Sequence, residues 1–303
     1  MRPLERIAPR AADLGDGLVV RRVLPTRQRR MVGAWCFLDH AGPIDFAPGG
    51  GMHVAAHPHT CLQTFTWLIE GEVLHRDSLG NEQVIRPGQV NLMTAGHGIV
   101  HTEDSLPDAR RLHAAQLWIA LPPALADCPP DFAHYPTLPR WHDGGCTFTL
   151  LAGQFGAKIS PARVHTPLIG LDIHAPPDTP FLEPGTTLPL RPGFEYGLLV
   201  LEGHCRIDDT AFATDEFAYL APGATRAVLW LAPGSRVLLL GGEPFGEPVT
   251  MWWNFVGHGK DAIAHAQRDW EAGDARFGAV PGSDGRRLVA PPLPWAGYGP
   301  AEG

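Results

Sequence analysis

Short runs of alternating apolar and polar residues, separated by glycine and proline, recur along most of the chain. Runs such as Val73–Asp77, Gln89–Met93 and Leu112–Leu121 have the two-residue period of β-strands. Turn sequences such as Ser78–Asn81 separate these runs at intervals of about eight to twelve residues, which is typical of antiparallel barrels and sandwiches. The pattern therefore predicts an all-β protein.

One stretch near the C-terminus has a helical period instead. Ile263, Ala266 and Trp270 repeat at helical spacing, which predicts a short helix over residues 258–271. The tail that begins at Ala290 is rich in proline and glycine, so we expect it either to drape over a barrel or to be disordered.

The strand pattern of the first half recurs in the second half. The segment Trp67–Gly71 parallels Leu199–Gly203, and Gly88–Gly96 parallels Asp215–Gly223. Such internal similarity predicts two copies of one β architecture in tandem.

The boundary between the copies is predicted from composition. Residues 122–142 are rich in proline and are interpreted as the interdomain crossover. This gives an N-terminal barrel over residues 1–135, and a C-terminal barrel with the helix and tail over residues 136–303.

Two short clusters carry the candidate chemistry. His57 and His59 are two positions apart, and so are His101 and Glu103. Because a β-strand points alternate side chains to the same face, two neighbouring strands would present a His₃Glu set to one metal ion. Imidazole suits iron, copper, nickel or zinc, and a carboxylate favours a harder octahedral ion with open positions. Ordinary surface or core histidines are the alternative reading.

The strand that carries the first cluster is predicted to continue. On an unbroken strand, Gln63, Phe65 and Trp67 share a face with His57 and His59 and line the same cavity. In the second copy, the positions that correspond to the four candidate ligands are Pro189, Arg191, Val228 and Trp230. None of these binds metal as histidine or glutamate does, so the second barrel is predicted to lack a metal.

Composition excludes some classes of function. The net charge of −8 argues against direct nucleic-acid binding, which depends on basic surfaces. The five cysteines include no CxxC pair, which favours a reducing cytoplasm. The first ten residues have no apolar core typical of a secretory signal, and no apolar run reaches the ~20 residues of a membrane span.

These motifs resemble the cupin pattern. Gly51, five residues and His57-x-His59 resemble the first cupin motif, and Gly88 followed by Thr94-Ala-Gly96 and His101 resembles the second. Within the cupins the chain is similar to the pirin family. The segments that carry this resemblance include His57–His59, His75–Gly80, Ile85–Gly88, Met93–Gly96, Gly98–Glu103 and Gln116–Trp118.

The resemblance implies a fold, a cofactor and two uses. It implies a bicupin of two tandem double-stranded β-helix (jelly-roll) barrels, with one mononuclear metal in the N-terminal barrel. The metal would usually be iron, although nickel, manganese, copper and zinc accept the same ligands. Bacterial members are associated with quercetin 2,3-dioxygenase activity, which opens a flavonol ring with O₂ and releases carbon monoxide. The animal protein is a redox-sensitive transcriptional cofactor.

Three readings therefore remain open. The chain is an O₂-dependent dioxygenase for a small, planar, flavonol-like substrate, a non-catalytic metalloprotein that senses redox state or binds a protein partner, or a barrel that serves only as a folding or interaction module. In the dioxygenase, Glu103 would accept the proton of the flavonol 3-hydroxyl.

Other side chains are candidates for roles around the metal. Many relatives carry Arg-Gly-Phe-Glu-Thr after the HPH motif, whereas this chain reads Thr-Cys-Leu-Gln-Thr, so Gln63 replaces a negative charge. His97 would be either a fifth metal contact or a pocket histidine on a loop. The predicted supporting residues are Gln63, His75, Thr94, His97 and Gln116, and the predicted apolar wall consists of Phe65, Trp67 and Trp118.

Overall fold

The computed structural model describes residues 4–13, 19–179 and 185–295. Within these ranges the chain forms β-strands and one α-helix of more than a single turn, which confirms the all-β prediction with a short C-terminal helix. The helix α1 spans Lys260–Ala272 and ends at Gly273, whose left-handed φ of 70° closes the last turn.

The strands of the first half and of the N-terminal segment are β1 (Glu5–Ile7), β2 (Arg10–Asp13), β3 (Val19–Leu24), β4 (Trp35–Asp45), β5 (His53–His59), β6 (Leu62–Glu70), β7 (Val73–Asp77), β8 (Glu82–Ile85), β9 (Val90–Thr94), β10 (Ile99–Ser105), β11 (Arg111–Ala120) and β12 (Asp131–Tyr135). The later strands are β13 (Arg140–Asp143), β14 (Cys146–Phe155), β15 (Lys158–Ile159), β16 (Leu168–His174), β17 (Thr186–Pro189), β18 (Glu195–Glu202), β19 (His204–Ile207), β20 (Thr210–Ala213), β21 (Phe217–Leu220), β22 (Arg226–Leu231), β23 (Arg236–Gly242), β24 (Thr250–Trp252) and β25 (Phe255–Gly257).

Each half builds one large and one small antiparallel sheet. In the first half the orders are β12-β9-β6-β11-β4-β3-β2 and β5-β10-β7-β8. In the second half they are β1-β21-β18-β23-β16-β14-β13, with β15 on β14, and β17-β22-β19-β20. The order β9-β6-β11-β4 matches β21-β18-β23-β16, and the two small sheets also match strand for strand. The two-barrel repeat is therefore confirmed.

The segments between and before the barrels are themselves paired. The N-terminal strand β1 adds to the second large sheet beside β21. The proline-rich segment 122–142 contains β12, which pairs with β9, and β13, which pairs with β14. The segment therefore contributes a strand to each barrel rather than only linking them, and the exact division of the chain at residue 135 stays a prediction.

The strand predicted to run unbroken from His57 is in fact two strands. Thr60 and Cys61 separate β5 from β6, and Cys61 has a φ of 54°, which is unusual for a residue other than glycine. The backbone N–H of Cys61 donates to the carbonyl of Gly96 at 2.8 Å. This break passes the chain from the small sheet to the large one, so the faces of β5 do not continue onto β6.

A single apolar core joins the two barrels. Trp35 packs edge-on against Phe65 with ring centroids 5.4 Å apart, and its indole N–H donates to the carbonyl of Ile169 at 3.1 Å. Other buried members come from both halves: Leu38, Trp67, Leu117, Leu199, Phe217 and Leu238. Because the apolar area lies between the barrels, we expect them to unfold together rather than separately.

A chain of polar groups crosses the same interface, with two buried histidines between two half-buried carboxylates. The Nε2 atoms of His40 and His113 are 2.8 Å apart, and Nδ1 of His40 is 2.7 Å from a carboxylate oxygen of Asp215. At the other end, Nδ1 of His113 is 3.2 Å from a carboxylate oxygen of Glu202. His40 and His113 lie in the first barrel, and both carboxylates lie in the second.

The segment after the second barrel returns to the first. Thr60 and Val256 are joined by two hydrogen bonds, and Leu288 donates its backbone N–H to Ala56 at 2.9 Å. These contacts cover the edge strand β5, whose unpaired groups would otherwise be exposed. Ala290 is buried, so the described part of the tail lies over a barrel; residues 296–303 lie outside the described ranges. The helix found here is too short and too polar to cross a bilayer.

The inter-barrel carboxylate predicts a pH dependence of stability. The contact with His113 at 3.2 Å, reinforced by Arg236, lowers the pKa of Glu202 to about 2 in spite of burial. Because the folded-state pKa lies below the ordinary value near 4.5, Glu202 stabilises the fold above that pH, and this contribution is lost as the pH falls towards 2.

We therefore expect Glu202→Gln to lower the free energy of unfolding at pH 7 by on the order of 1–2 kcal/mol, allowing for solvent screening. The difference from wild type should shrink as the pH falls towards 2, measured by urea unfolding. The exposed Glu247→Gln is the control and should show no such trend. An equal difference at every pH would contradict this assignment.

Candidate metal centre

Three histidine side chains converge inside the first barrel. His57 and His59 come from β5, and His101 comes from β10, where it pairs directly with His57. All three are buried, and one ligand nitrogen from each lies within 4.8 Å of the others. The structure therefore brings together the two clusters that the sequence separates by about forty residues.

Each histidine has its Nδ1 engaged away from the cluster. Nδ1 of His57 lies 2.9 Å from the carbonyl of Ala55, and Nδ1 of His59 lies 2.9 Å from the carbonyl of Asn254. Because a carbonyl only accepts, both Nδ1 atoms must carry the proton. Nδ1 of His101 lies 3.3 Å from Nδ1 of His75. A neutral imidazole protonated at Nδ1 has an unprotonated Nε2 with its lone pair available for a metal.

The donor atoms fit a cation. Nε2 of His59 and Nε2 of His101 are 3.1 Å apart. Burial lowers the pKa of His57 to about 4 and holds the pKa values of His59 and His101 well below their ordinary range, so the rings are neutral. With their protons on Nδ1, two lone pairs would face each other, and a bound cation relieves that repulsion. The His triad can therefore hold a metal ion.

Glu103 faces the same cavity but stands apart from the triad. A register shift between His101 and Glu103 interrupts the pairing of β10 with β5. Glu103 lines the cavity together with the three histidines, yet its carboxylate is not within 4.8 Å of all of them. Burial, together with the neighbouring Asp104, raises the pKa of Glu103 to about 7. A bound cation would favour its ionised form.

The histidines open into a cavity of about 310 Å³. One wall is aromatic: Phe37 and Trp118 stack with centroids 4.0 Å apart, and Trp118 lies edge-on to His59 at 5.0 Å. The guanidinium of Arg22 lies over Phe37 at 4.6 Å and forms two hydrogen bonds with Asp39. The cavity therefore combines a planar apolar surface, a cation at its rim and the histidine nitrogens.

The opposite side is built by the C-terminal segment, which the sequence did not indicate. Trp253, Asn254 and Leu288 line the cavity although they lie far from the histidines in the chain. Trp253 occupies the turn between β24 and β25 with a φ of 52°. The next residue, Asn254, supplies the carbonyl that orients His59. No local sequence pattern marks a backbone carbonyl as a partner of a distant histidine.

The other predicted residues separate into two groups. Gln116 and Trp118 line the cavity, where Gln116 accepts a hydrogen bond from Thr66, and His75 contacts His101. The second group lies elsewhere. Gln63 donates to Thr94 and to the carbonyl of Arg163 in the second half of the chain, so neither Gln63 nor Thr94 touches the triad.

Phe65, Trp67 and His97 also lie away from the triad. Phe65 and Trp67 are in the core between the barrels, where the indole N–H of Trp67 donates to Asp172 at 3.2 Å. The break at Cys61 explains this placement, because it ends the face shared with His57. His97 lines a different cavity, beside α1, and is not a fifth contact to the triad.

The second barrel has an apolar interior. Leu188, Leu198, Ile207, Leu229 and Leu239 surround a cavity of only about 30 Å³. Across the parts of the chain that the structure describes, the triad is the one cluster of three or more potential ligands close enough to hold a metal. That the second barrel lacks a metal stays a prediction from the comparison of the two halves of the sequence.

We expect metal to stabilise the folded protein through the triad. A ligand at 100 times its Kd adds about 2.7 kcal/mol, which corresponds to a rise of several degrees in Tm. Differential scanning fluorimetry of chelator-treated protein with added Fe²⁺, Ni²⁺ or Zn²⁺ measures this rise. His59→Ala should abolish it, whereas His97→Ala should retain it because His97 lies in another cavity. Equal shifts in the two variants would refute binding at the triad.

Comparison with known proteins agrees with this architecture. The Pirin family matches residues 17–119, and the Pirin C-terminal cupin domain matches residues 181–278. A Pseudomonas aeruginosa protein named "Putative quercetin 2,3-dioxygenase PA1205" is 60% identical over 292 residues, which cover 96% of this chain and 91% of that protein. A "Pirin-like protein" of Caulobacter vibrioides is 41% identical, covering 87% of this chain and 91% of that protein.

A solved structure has the same fold as this chain. The crystal structure of quercetin 2,3-dioxygenase from Acinetobacter baumannii has a TM-score of 0.92 and 48% sequence identity, and the match covers 96% of each chain. The first half of the chain matches the Pirin domain, and the second half matches the Pirin C-terminal cupin domain. The two-barrel fold, with the histidine triad in the first barrel, agrees with this order. The chain belongs to the pirin family of bicupins.

Proposed function

We propose that this protein is a metal-dependent quercetin 2,3-dioxygenase that uses O₂ to open the heterocycle of a flavonol. The observation that carries the proposal is the position of the triad: the three donor nitrogens face an accessible cavity with an aromatic wall. Ligand-binding cavities typically measure about 300–1,000 Å³, and this cavity of about 310 Å³ is at the small end of that range. The names of the relatives at 60% and 48% identity support the same reaction.

His57, His59, His101 and Glu103 would hold one transition-metal ion, most simply iron, with nickel, manganese, copper or zinc accepted by the same donors. Glu103 lines the same cavity as the histidines, and its carboxylate would have to approach them to complete the set. Such an ion lowers the pKa of a bound hydroxyl and brings substrate and O₂ together.

The chain's own residues would then bind the substrate and move its proton. The stacked pair of Phe37 and Trp118 offers a flat surface on which an aromatic ring can pack. Glu103, the one carboxylate among the four proposed ligands, would take the proton of the 3-hydroxyl. The resulting enolate is electron-rich and can pass electron density to O₂, which then adds to the ring.

Catalysis predicts loss of flavonol absorbance by the metal-loaded protein. We expect quercetin to be consumed in air, with O₂ uptake and release of carbon monoxide, and to persist under anaerobic conditions. Protein with His57→Ala is the matched control, because it lacks one donor to the metal. Full metal occupancy without quercetin loss would instead support the non-catalytic metal sensor.

The role of Glu103 as a base gives a separate prediction. Glu103→Gln should lower kcat by about 10²–10⁴-fold at saturating metal, because glutamine cannot accept the proton. The change should be measured on protein whose metal content equals that of wild type. Asp108→Asn makes the same type of chemical change at an exposed position outside the cavity and should leave kcat within a few-fold. An unchanged kcat in Glu103→Gln at full occupancy would assign the proton transfer to another group.

A further inference from the structure

A histidine and a carboxylate outside the triad continue the hydrogen bonding of His101 away from the cluster. Nδ1 of His101 lies 3.3 Å from Nδ1 of His75, and Nε2 of His75 lies 3.1 Å from a carboxylate oxygen of Asp77. All three residues are buried, and Asp77 has no exposed surface. The three positions lie on the adjacent strands β7 and β10, where His101 pairs with Asp77.

The available donors and acceptors determine the direction of these two hydrogen bonds. The carboxylate of Asp77 only accepts, so the proton of His75 must be on Nε2. In the neutral ring, Nδ1 of His75 is then an acceptor, and His101 donates to it from its own Nδ1. This leaves Nε2 of His101 without a proton and directed to the cluster, which is the form that a metal ligand requires.

The surroundings hold this arrangement in place. The Asp77 carboxylate accepts from the backbone N–H groups of Leu79 and Asn81 and from the Asn81 side chain. Burial raises the pKa of Asp77, but the hydrogen bonds from His75 and Asn81 outweigh that effect and keep it below its ordinary value. The ring of His75 stacks on Phe132 at 4.4 Å with an interplanar angle of 12°. The carboxylate is therefore ionised and the His75 ring cannot turn freely.

We propose that His75 and Asp77 form a relay that fixes the tautomer of His101 and increases its electron donation to the metal. A carboxylate that hydrogen-bonds to a ligating histidine raises the basicity of that ligand. Here the charge of Asp77 acts through an interposed imidazole. The backbone carbonyls that accept hydrogen bonds from His57 and His59 carry no net charge, so on this proposal His101 is the strongest donor of the three. His75 is thus a positioning residue. The inference rests on the proposed metal centre but does not depend on the flavonol reaction.

Two substitutions of His75 distinguish the relay from simple packing. His75→Phe keeps a ring that can stack on Phe132 but cannot accept a hydrogen bond from His101 or donate one to Asp77. His75→Gln keeps both capacities, because its amide oxygen can accept and its NH₂ can donate. His97→Phe is the control, because it removes a histidine from another cavity of the same barrel.

The readouts are metal affinity and the proton NMR spectrum of the Co²⁺-loaded protein. In wild type, each of the three ligating imidazoles should give one paramagnetically shifted, solvent-exchangeable N–H signal. In His75→Phe, the His101 signal should move and exchange rapidly while the other two stay, and the affinity should fall by about 10- to 100-fold. The reduction potential of the iron-loaded variant should rise. His75→Gln should restore the third signal and most of the affinity.

Several outcomes would overturn the relay. Three unchanged N–H signals and an unchanged affinity in His75→Phe would show that His75 only fills space. Displacement of all three signals in both His75 variants, but not in His97→Phe, would show a general packing role. Failure of wild type to bind Co²⁺ at any concentration would refute the metal centre and the relay together. Absence of quercetin turnover with these signals intact would refute only the proposed reaction.

Discussion

The donor nitrogens of His59 and His101 lie 3.1 Å apart with their protons held on the far side of each ring. A buried arrangement of this kind is unfavourable in the absence of a positive charge, because two lone pairs face each other. The surrounding structure maintains it through hydrogen bonds that each ring makes at Nδ1. Three features keep the rings in this arrangement. They are the pairing of β5 with β10, the C-terminal hairpin that supplies the Asn254 carbonyl, and the turn that holds Asp77.

The two barrels share one architecture but differ in the side chains that fill their interiors. In the first barrel the small sheet presents polar donors to a cavity of about 310 Å³, whereas in the second the corresponding strands enclose apolar side chains around about 30 Å³. The second barrel also supplies the other half of the core that buries Trp35, Phe65 and Trp67. Its apolar interior and its interface with the first barrel suit it to a structural role.

The C-terminal segment links the second barrel to the site in the first. Its hairpin reaches the triad through Asn254, and its later part covers β5 through Leu288. The cavity is therefore assembled from both ends of the chain, since Asp13 and Arg22 also line it. Changes in the tail can be expected to alter the site even though no candidate ligand lies there.

The sequence determined the features that depend on local pattern. The two-residue period and the spaced turns specify the strands, and the paired i, i+2 spacings put His57 with His59 on one strand and His101 with Glu103 on another. The helix at Lys260–Ala272 follows from its apolar spacing and from Gly273. The repeat was visible because both halves bury the same faces in the same order.

Only the tertiary structure decided where the faces of β6 point, because the break at Cys61 depends on a hydrogen bond to Gly96 that no period reveals. For the same reason Gln63, Phe65 and Trp67 lie between the barrels. Asn254 and Trp253 lie beside the metal centre, far along the chain from the histidines. Packing decides which distant groups meet, and no local pattern in the sequence records it.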